Sequence, residues 1–304
     1  RPSSPARPDR VPDAPVALAI PDYGNGTLML RWSPPPTAGN YSPIDRYEVT
    51  IAGSTTIVTG TTFTKTGLQN GQAYSFTVRA HNNAGGSSNG WGPAATSATE
   101  IPSTKPAAPQ APTVANSGDG GTPRLTVTWA APDDGGRPID HYEVCWIQTG
   151  QCNNTSNLSY AFQAPRNSSA TFRVRAVNSD KHTPYSDWSA TSAPVTSVGN
   201  PDPPVITQVQ SGDHTLTVIA TSANGSGCTD ASTMYSLDGS SFQGSNTFTG
   251  LTNGTARSAV AKTVLGASCY KQFSSVLSNS VTQTPYGPLR QPSISVSGPS
   301  TSIT

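Results

Sequence analysis

The chain has 304 residues, of which 12% are charged, and its formal net charge is +1. Such a near-neutral chain lacks the basic surface of nucleic-acid-binding proteins, so no nucleic-acid partner is expected. No apolar run approaches the roughly 20 residues that cross a bilayer, and no membrane segment is predicted. The 28 glycines and 28 prolines, with abundant Ser, Thr and Val, predict short strands separated by turns.

The first part of the chain alternates apolar and polar residues as strands do. Residues 1–12 are Pro-rich, lack the apolar segment of a signal peptide, and are predicted to be a linker. A strand ends at Trp32, and Tyr47 begins an alternating stretch that runs to Ile51. After a turn, Tyr74 and Phe76 lie on one face of a further strand. No helical periodicity is present, so the prediction is an all-β chain.

The sequence repeats itself. PIDRYEV begins at Pro43 and PIDHYEV at Pro138, about 95 positions later, and Trp32 and Trp129 recur at nearly the same interval. This spacing indicates duplicated domains rather than one large fold. The Pro-rich linkers Pro102 to Pro112 and Asn200 to Pro204, which open the second and third domains, predict semi-rigid, extended spacing. The predicted organisation is a linker at 1–12, sandwich domains at 13–101 and 102–199, a divergent sandwich at 200–284, and a linker with the start of a further repeat at 285–304.

The third segment is more divergent than the first two. Ala220 replaces the tryptophan of the earlier repeats, and Tyr235 lies on a strand that leads into an Asp-Gly turn. Gly250-Leu251 repeats Gly67-Leu68 of the first domain. The residues predicted to form the three cores are Trp32, Tyr47, Leu68, Tyr74, Phe76, Trp129, Tyr142, Phe172, Tyr235 and Leu251.

The four cysteines fall into two local pairs. A two-residue turn at Gln148-Thr149 would place Cys145 and Cys152 opposite each other in a hairpin, close enough for a disulfide. Cys228 and Cys269 lie in Gly/Ser-rich stretches and are predicted to join two loops. Such pairing favours an oxidising, extracellular or cell-surface location. Four unrelated buried thiols are the alternative; a zinc site is less favoured because no CxxC spacing is present.

These motifs together resemble the fibronectin type III domain. That family has a Trp on its second strand, Tyr-Glu-Val on its third, then a Gly-Leu turn and a Tyr-x-Phe-x-Val-Arg-Ala strand. The resemblance covers about two-thirds of the chain and implies tandem antiparallel seven-stranded β-sandwiches, immunoglobulin-like and elongated, as the fold. It also implies a tyrosine corner at Tyr74. Ala170 stands at that position in the second repeat, where the Cys145–Cys152 bridge is expected to compensate.

One stretch of the second repeat resembles the WSxWS box of cytokine-receptor domains. It reads Tyr185-Ser186-Asp187-Trp188-Ser189, with Tyr in place of the first Trp. The resemblance implies that arginines of the neighbouring strand interleave with these aromatics. Arg173 and Arg175 alternate correctly to stack on Trp188 and Tyr185. A packed strand edge is the favoured interpretation, and a ligand surface is the alternative.

No constellation for catalysis is apparent, so no enzyme activity, catalytic residue or cofactor is predicted. The histidines are scattered and are expected to have surface roles; they are His81, His141, His182 and His214. Asp133-Asp134 suggests a calcium loop, but further oxygen ligands at EF-hand spacing are absent, and a simple turn is favoured. No metal site is therefore predicted.

The sequence predicts a fragment of a secreted or cell-surface multidomain protein that acts as a structural spacer or adhesion module. The Lys-poor, Ala/Thr/Gly-rich composition is typical of secreted bacterial proteins. Expected partners are the other domains of a longer protein, with surface glycans, surface proteins or further copies of the chain also open. The alternatives are the accessory region of a secreted glycan-degrading enzyme and a receptor ectodomain.

Overall fold

A computed structural model of the chain describes residues 9–39, 42–84, 89–222 and 224–288. Every regular element in these ranges is a β-strand, and the strands pair with antiparallel neighbours. The all-β prediction of tandem antiparallel sandwiches is confirmed. Among the same residues there is no helix of the length and apolarity that a membrane crossing requires. The segment 289–304 and most of the predicted linker 1–12 lie outside the described residues.

The chain forms two compact units. The first comprises residues 1–113, 128–160 and 171–192, and the second comprises 114–127, 161–170 and 193–304. The predicted domain boundaries stay predictions; "first repeat" (13–101), "second repeat" (102–199) and "third segment" (200–284) are used below as names for these stretches of sequence.

The described residues of the first repeat form seven strands in two sheets. The sheets have the strand orders β1-β2-β5 and β4-β3-β6-β7. Along the second strand Leu28, Leu30 and Trp32 are buried while the residues between them are less so, as the alternation predicts. The strands are β1 (Val16–Gly24), β2 (Thr27–Ser33), β3 (Ile44–Ile51), β4 (Ser54–Val58), β5 (Thr62–Lys65), β6 (Thr77–Asn82) and β7 (Trp91–Thr96).

The two sheets of the first repeat enclose one core. The Trp32 indole meets the Tyr47 ring edge-on at 5.4 Å between centroids, and Phe76 and Val78 are fully buried beside them. Aromatic rings in this arrangement add to the stabilisation that their buried area gives. Burial also raises the pKa of the Tyr47 hydroxyl.

The second repeat uses the same pairing register as the first. Tyr142 and Val144 lie opposite Ala176 and Val174, just as Tyr47 and Val49 lie opposite Ala80 and Val78. Its sheets have the orders β11-β10-β14 and β12-β9-β8, with a separate β13-β15 pair. The strands are β8 (Thr113–Gly118), β9 (Pro123–Thr128), β10 (Ile139–Trp146), β11 (Gln151–Thr155), β12 (Ser159–Gln163), β13 (Ser169–Ala170), β14 (Phe172–Asn178) and β15 (Val195–Thr196).

The β10–β11 turn differs from the predicted two-residue turn. Trp146 pairs with Gln151, so the loop has four residues, and Gly150 closes it by donating its N–H to the Trp146 carbonyl at 2.9 Å. Gly150 has φ of +72°, which glycine adopts without a steric penalty. Because both turns share one centre, Cys145 still lies opposite Cys152.

The third segment has a smaller core than the first repeat. Leu216, Val218 and Ile206 are buried together with Ala259 and Ala261, and no Trp takes part. Sheets of order β16-β17-β19 and β18-β20-β21 surround them. The strands are β16 (Val205–Gly212), β17 (Thr215–Thr221), β18 (Ala231–Ser236), β19 (Thr247–Phe248), β20 (Arg257–Leu265) and β21 (Val281–Gln283).

Candidate functional sites

Within the first unit, Tyr23 at the end of β1 is held by two cations of the second repeat. The Arg137 guanidinium lies 4.6 Å from the centre of the Tyr23 ring, and Lys181 Nζ lies 4.4 Å from it. The Lys181 N–H donates to the Tyr23 hydroxyl at 3.1 Å, which fixes the ring from a third direction. We call this cluster the first joint. It comprises Tyr23, Arg137 and Lys181 and the surrounding groups Asp22, Glu100, Ser103 and His182, together with the backbone contact between Gly71 and Gly136.

Ion pairs surround the Tyr23 ring. Arg137 pairs with Glu100 at 3.0 Å and donates to the Ser103 hydroxyl at 2.9 Å. His182 Nε2 lies 2.8 Å from Asp22 Oδ1. This hydrogen bond is the main reason that the pKa of Asp22 is lower than usual. The first joint therefore combines aromatic, charged and hydrogen-bonding contacts between the two repeats.

The carboxylate of Asp180 is buried next to the first joint and accepts a hydrogen bond from Ser103. Desolvation works against the charge of Asp180, but hydrogen bonds from the Thr183 N–H, the Ser103 hydroxyl and the His182 N–H outweigh it and lower the pKa of Asp180. Since Ser103 belongs to the linker, an ionised Asp180 helps to hold the linker against the second repeat.

Two glycines let the backbones of the repeats approach each other. A Cβ built on Gly71 would lie 3.3 Å from Gly136 Cα, and one built on Gly136 would lie 2.5 Å from the Gly71 nitrogen. Their φ angles are +80° and +94°. A side chain at Gly136 would thus be strained and would collide with backbone that cannot move aside. Gly71 also donates its N–H to the Pro102 carbonyl at 3.1 Å.

The linker that follows Pro102 is fastened to the second repeat. Thr104 donates its N–H to the Gly135 carbonyl and Ala107 donates to the Asp133 carbonyl, both at 2.9 Å. Asn178 Nδ2 donates to the Thr104 carbonyl at 3.1 Å. The Asp133 carboxylate accepts the Gly135 N–H at 2.8 Å, so here it closes a turn, as the favoured interpretation of this loop predicts.

The linker between the second repeat and the third segment is also hydrogen-bonded, within the second unit. Asn200 donates its N–H to the Gly120 carbonyl at 2.9 Å, and Asp202 donates its N–H to the Asn224 carbonyl at 2.8 Å. Arg166 pairs with the Asp202 carboxylate at 2.8 Å and donates to the Asn200 carbonyl at 2.6 Å. The linker residue Asn200 thus bonds to the second repeat, and Asp202 bonds to the third segment.

The structure brings together the predicted arginine–aromatic stack. Arg173 lies 4.3 Å from the Trp188 ring, and Arg175 lies 4.3 Å from Tyr185 and 4.5 Å from Trp188. Arg175 also donates to Glu143 at 2.6 Å. Arginines of the same chain therefore cover the faces of both aromatic rings, which favours a packed strand edge. A ligand surface stays a prediction.

A row of serines beside this stack was not predicted. Ser186, Ser189 and Ser192 follow one another at every third position. The hydroxyls accept hydrogen bonds from the backbone N–H groups of Ala176, Val174 and Phe172 at 2.9–3.0 Å, and the serine N–H groups donate to the same residues' carbonyls. Ser97 does the same at Phe76, and Ser275 and Ser278 at Thr263 and Ala261.

Both predicted disulfides are present. Cys145 Sγ lies 1.98 Å from Cys152 Sγ, and Cys228 Sγ lies 1.99 Å from Cys269 Sγ. Glu143 lies close to the first pair, but the two sulfurs are bonded to each other and are not available as thiolate ligands. The predicted alternatives of free thiols and a zinc site do not describe these cysteines.

The remaining predicted residues fall into two groups. Tyr74 accepts the Gln69 N–H on its hydroxyl at 3.2 Å, which is the predicted tyrosine corner. Leu68 and Tyr74 pack half-buried against the first core, and Tyr235 and Leu251 against the third. The other predicted core residues are buried: Trp32, Tyr47, Phe76, Trp129, Tyr142 and Phe172.

His81 differs from the expected surface placement. Only 5% of it is exposed, because it is enclosed by Asp45, Arg46 and the Trp91 ring. Its Nδ1 lies 2.7 Å from Asp45 Oδ1, and its Nε2 lies 2.8 Å from Arg46 Nη2. Its position on β6 and these partners give it a structural role in the first repeat.

Residues 13–96 match the family model for the fibronectin type III domain. They form a fibronectin type III domain. Because the second repeat has the same strand register and the same Glu–Arg pair across its sheet (Glu143–Arg175, as Glu48–Arg79), the chain carries fibronectin type III domains in tandem. The chain also aligns with the crystal structure of the chicken CNTN1 FN1-FN3 domains at 15% identity and a TM-score of 0.34, over 90% of this chain and 99% of that one.

Proposed function

We propose that this chain is a non-catalytic spacer and adhesion module of a secreted or cell-surface multidomain protein. Tandem fibronectin type III domains and two disulfides support an extracellular, structural role. Its immediate partners are the neighbouring domains of the longer protein, and its exposed loops are available to proteins or glycans at the surface.

The first joint is the observation that carries this proposal. A flexible tether needs no specific contacts between its domains, whereas a spacer must resist bending. Tyr23 is contacted by two cations, Arg137 also reaches Glu100, and Gly71 meets Gly136 at backbone distance. These contacts resist rotation about the Pro102 linker because each involves a different part of the first repeat.

Spin labels on either side of the joint test this directly. We propose the double variant Thr59→Cys/Ser156→Cys, since both positions are exposed and the described chain has no free cysteine to compete. The labelled chain is diluted with an excess of unlabelled native chain, so that only distances within one chain are measured. Pulsed electron paramagnetic resonance is expected to give one narrow distribution of distances between the two labels. Adding Tyr23→Ala is expected to broaden it, whereas the control Arg257→Ala, in the third segment, leaves it unchanged. A distribution already broad without Tyr23→Ala would overturn the spacer proposal.

A further inference from the structure

The edge strand β4 of the first repeat is open on one side. It is the end strand of the sheet β4-β3-β6-β7, and it pairs with β3 from Tyr47–Val58 to Ile51–Ser54 without a register shift. On its other side no strand pairs with it in the described part of the chain. Its peptide groups on that side are thus available to another strand.

The composition of β4 favours pairing. Four of its five residues, Ser-Thr-Thr-Ile-Val, are β-branched, and none is charged or a proline. The sequence has no charged residue between Glu48 and Lys65. Ile57 is 51% exposed. Natural edge strands usually carry a charge, a proline or a bulge that blocks further pairing, and β4 has none of these.

Two other edges of the chain, β7 and β11, differ from β4 in this respect. At the opposite end of the same sheet, β7 contains Pro93, and its pairing with β6 has a register shift. In the second repeat, β11 reads Gln-Cys-Asn-Asn-Thr, which has a low strand propensity and is tied to β10 by the Cys145–Cys152 bridge.

The charges next to β4 allow an identical strand to approach. Across β3, Glu48 is paired with Arg79 at 2.7 Å, so the neighbouring strand presents a neutral pair rather than a single charge. Two copies related by a two-fold axis would therefore meet without like-charge repulsion. An isologous contact of this kind also closes on itself and does not extend into a fibre.

We propose that β4 pairs antiparallel with β4 of a second copy of this chain, with the two-fold axis at Thr56. In that register Ile57 of one copy faces Thr55 of the other on the outer face of the sheet. Ser54 faces Val58 on the opposite face. The result is one continuous sheet across two copies, and it goes beyond the spacer role without depending on it.

Sedimentation of the whole chain over a range of concentrations tests the pairing. The native chain is expected to dimerise reversibly. Ile57→Lys is expected to raise the dimer dissociation constant by about tenfold or more, because a lysine on an edge strand blocks further pairing. Leu158→Lys is the matched control, since Leu158 is 42% exposed in the second repeat, and it should leave the constant unchanged.

Cross-linking tests the register. A two-fold axis at Thr56 brings this residue opposite itself, so Thr56→Cys is expected to give a disulfide-linked dimer under mild oxidation, and Ser54→Cys is not. A melting temperature of Ile57→Lys close to the native value would show that the loss of dimer is not caused by unfolding. A monomer at every concentration, a dimer insensitive to Ile57→Lys, or cross-links at Ser54 in place of Thr56 would each overturn the proposal. A monomer with a narrow spin-label distance would still support the spacer.

Discussion

The guanidinium of Arg137 is stacked at 4.6 Å on the ring of Tyr23, although the two residues belong to different repeats. Arg137→Ala is expected to weaken the first joint by about 1–2 kcal/mol, because the stacking and the Glu100 pair are lost together. Amide exchange at Gly71, whose N–H donates to the carbonyl of Pro102 at the start of the linker, should quicken about tenfold or more. An unchanged exchange rate, like that expected for Arg257→Ala, would contradict this prediction.

The buried carboxylate of Asp180 predicts a loss of stability in acid. The pKa of Asp180 is lower in the folded protein than in the unfolded chain, so its stabilising effect is complete above the unfolded pKa and is lost as the pH falls through the folded pKa. Asp180→Asn should therefore lower the melting temperature at pH 7 but reduce its dependence on pH between pH 5 and pH 2. The control Asp187→Asn changes an exposed carboxylate and should keep the native pH dependence.

Ser189 provides the clearest test of the serine row. Ser189→Ala leaves the buried N–H of Val174 without its acceptor, which should lower the free energy of unfolding by about 1–3 kcal/mol. Ser156→Ala, at an exposed serine, is the control and should stay within about 0.5 kcal/mol of the native value. Chemical denaturation measures both, and equal losses would show that the hydroxyl has no special role.

The two disulfides should differ in their effect on stability. The bridge Cys228–Cys269 spans 41 residues and Cys145–Cys152 spans seven. Loop-closure entropy predicts losses of about 4 kcal/mol and about 2.5 kcal/mol when the cysteines of each pair are replaced by serine. Thermal unfolding of the two double variants tests the order. If the variant without the Cys145–Cys152 bridge lost no stability, the idea that this bridge compensates for the missing tyrosine corner at Ala170 would also be rejected.

The strands could be predicted from sequence because their burial follows a period of two. Leu28, Leu30 and Trp32 alternate with polar or exposed residues, and the structure buries that set. The local cysteine pairing could be predicted for a similar reason, since a hairpin turn relates the two positions through a short stretch of chain. The predicted loop length was wrong because a two-residue turn and a four-residue loop centred between Gln148 and Thr149 both place Cys145 opposite Cys152.

The first joint and the serine row could not be predicted in this way. Tyr23 and Lys181 are 158 positions apart, and no periodicity relates them. Asp180 looks like an ordinary loop residue until Ser103 of the linker is placed beside it. The serine spacing of three was visible in the sequence, but it fits neither the strand period nor the helix period, so it suggested irregular chain.

The serine row also determines where residues 186–192 tolerate sequence change. Its pairing to β14 depends on every third residue, and the residues between them, such as Asp187, Ala190 and Thr191, are exposed. Mutations at those intervening positions can alter the chemistry of the surface while leaving the three anchoring hydroxyls in place. This segment is therefore a place where new surfaces can be engineered onto the scaffold without redesigning its core.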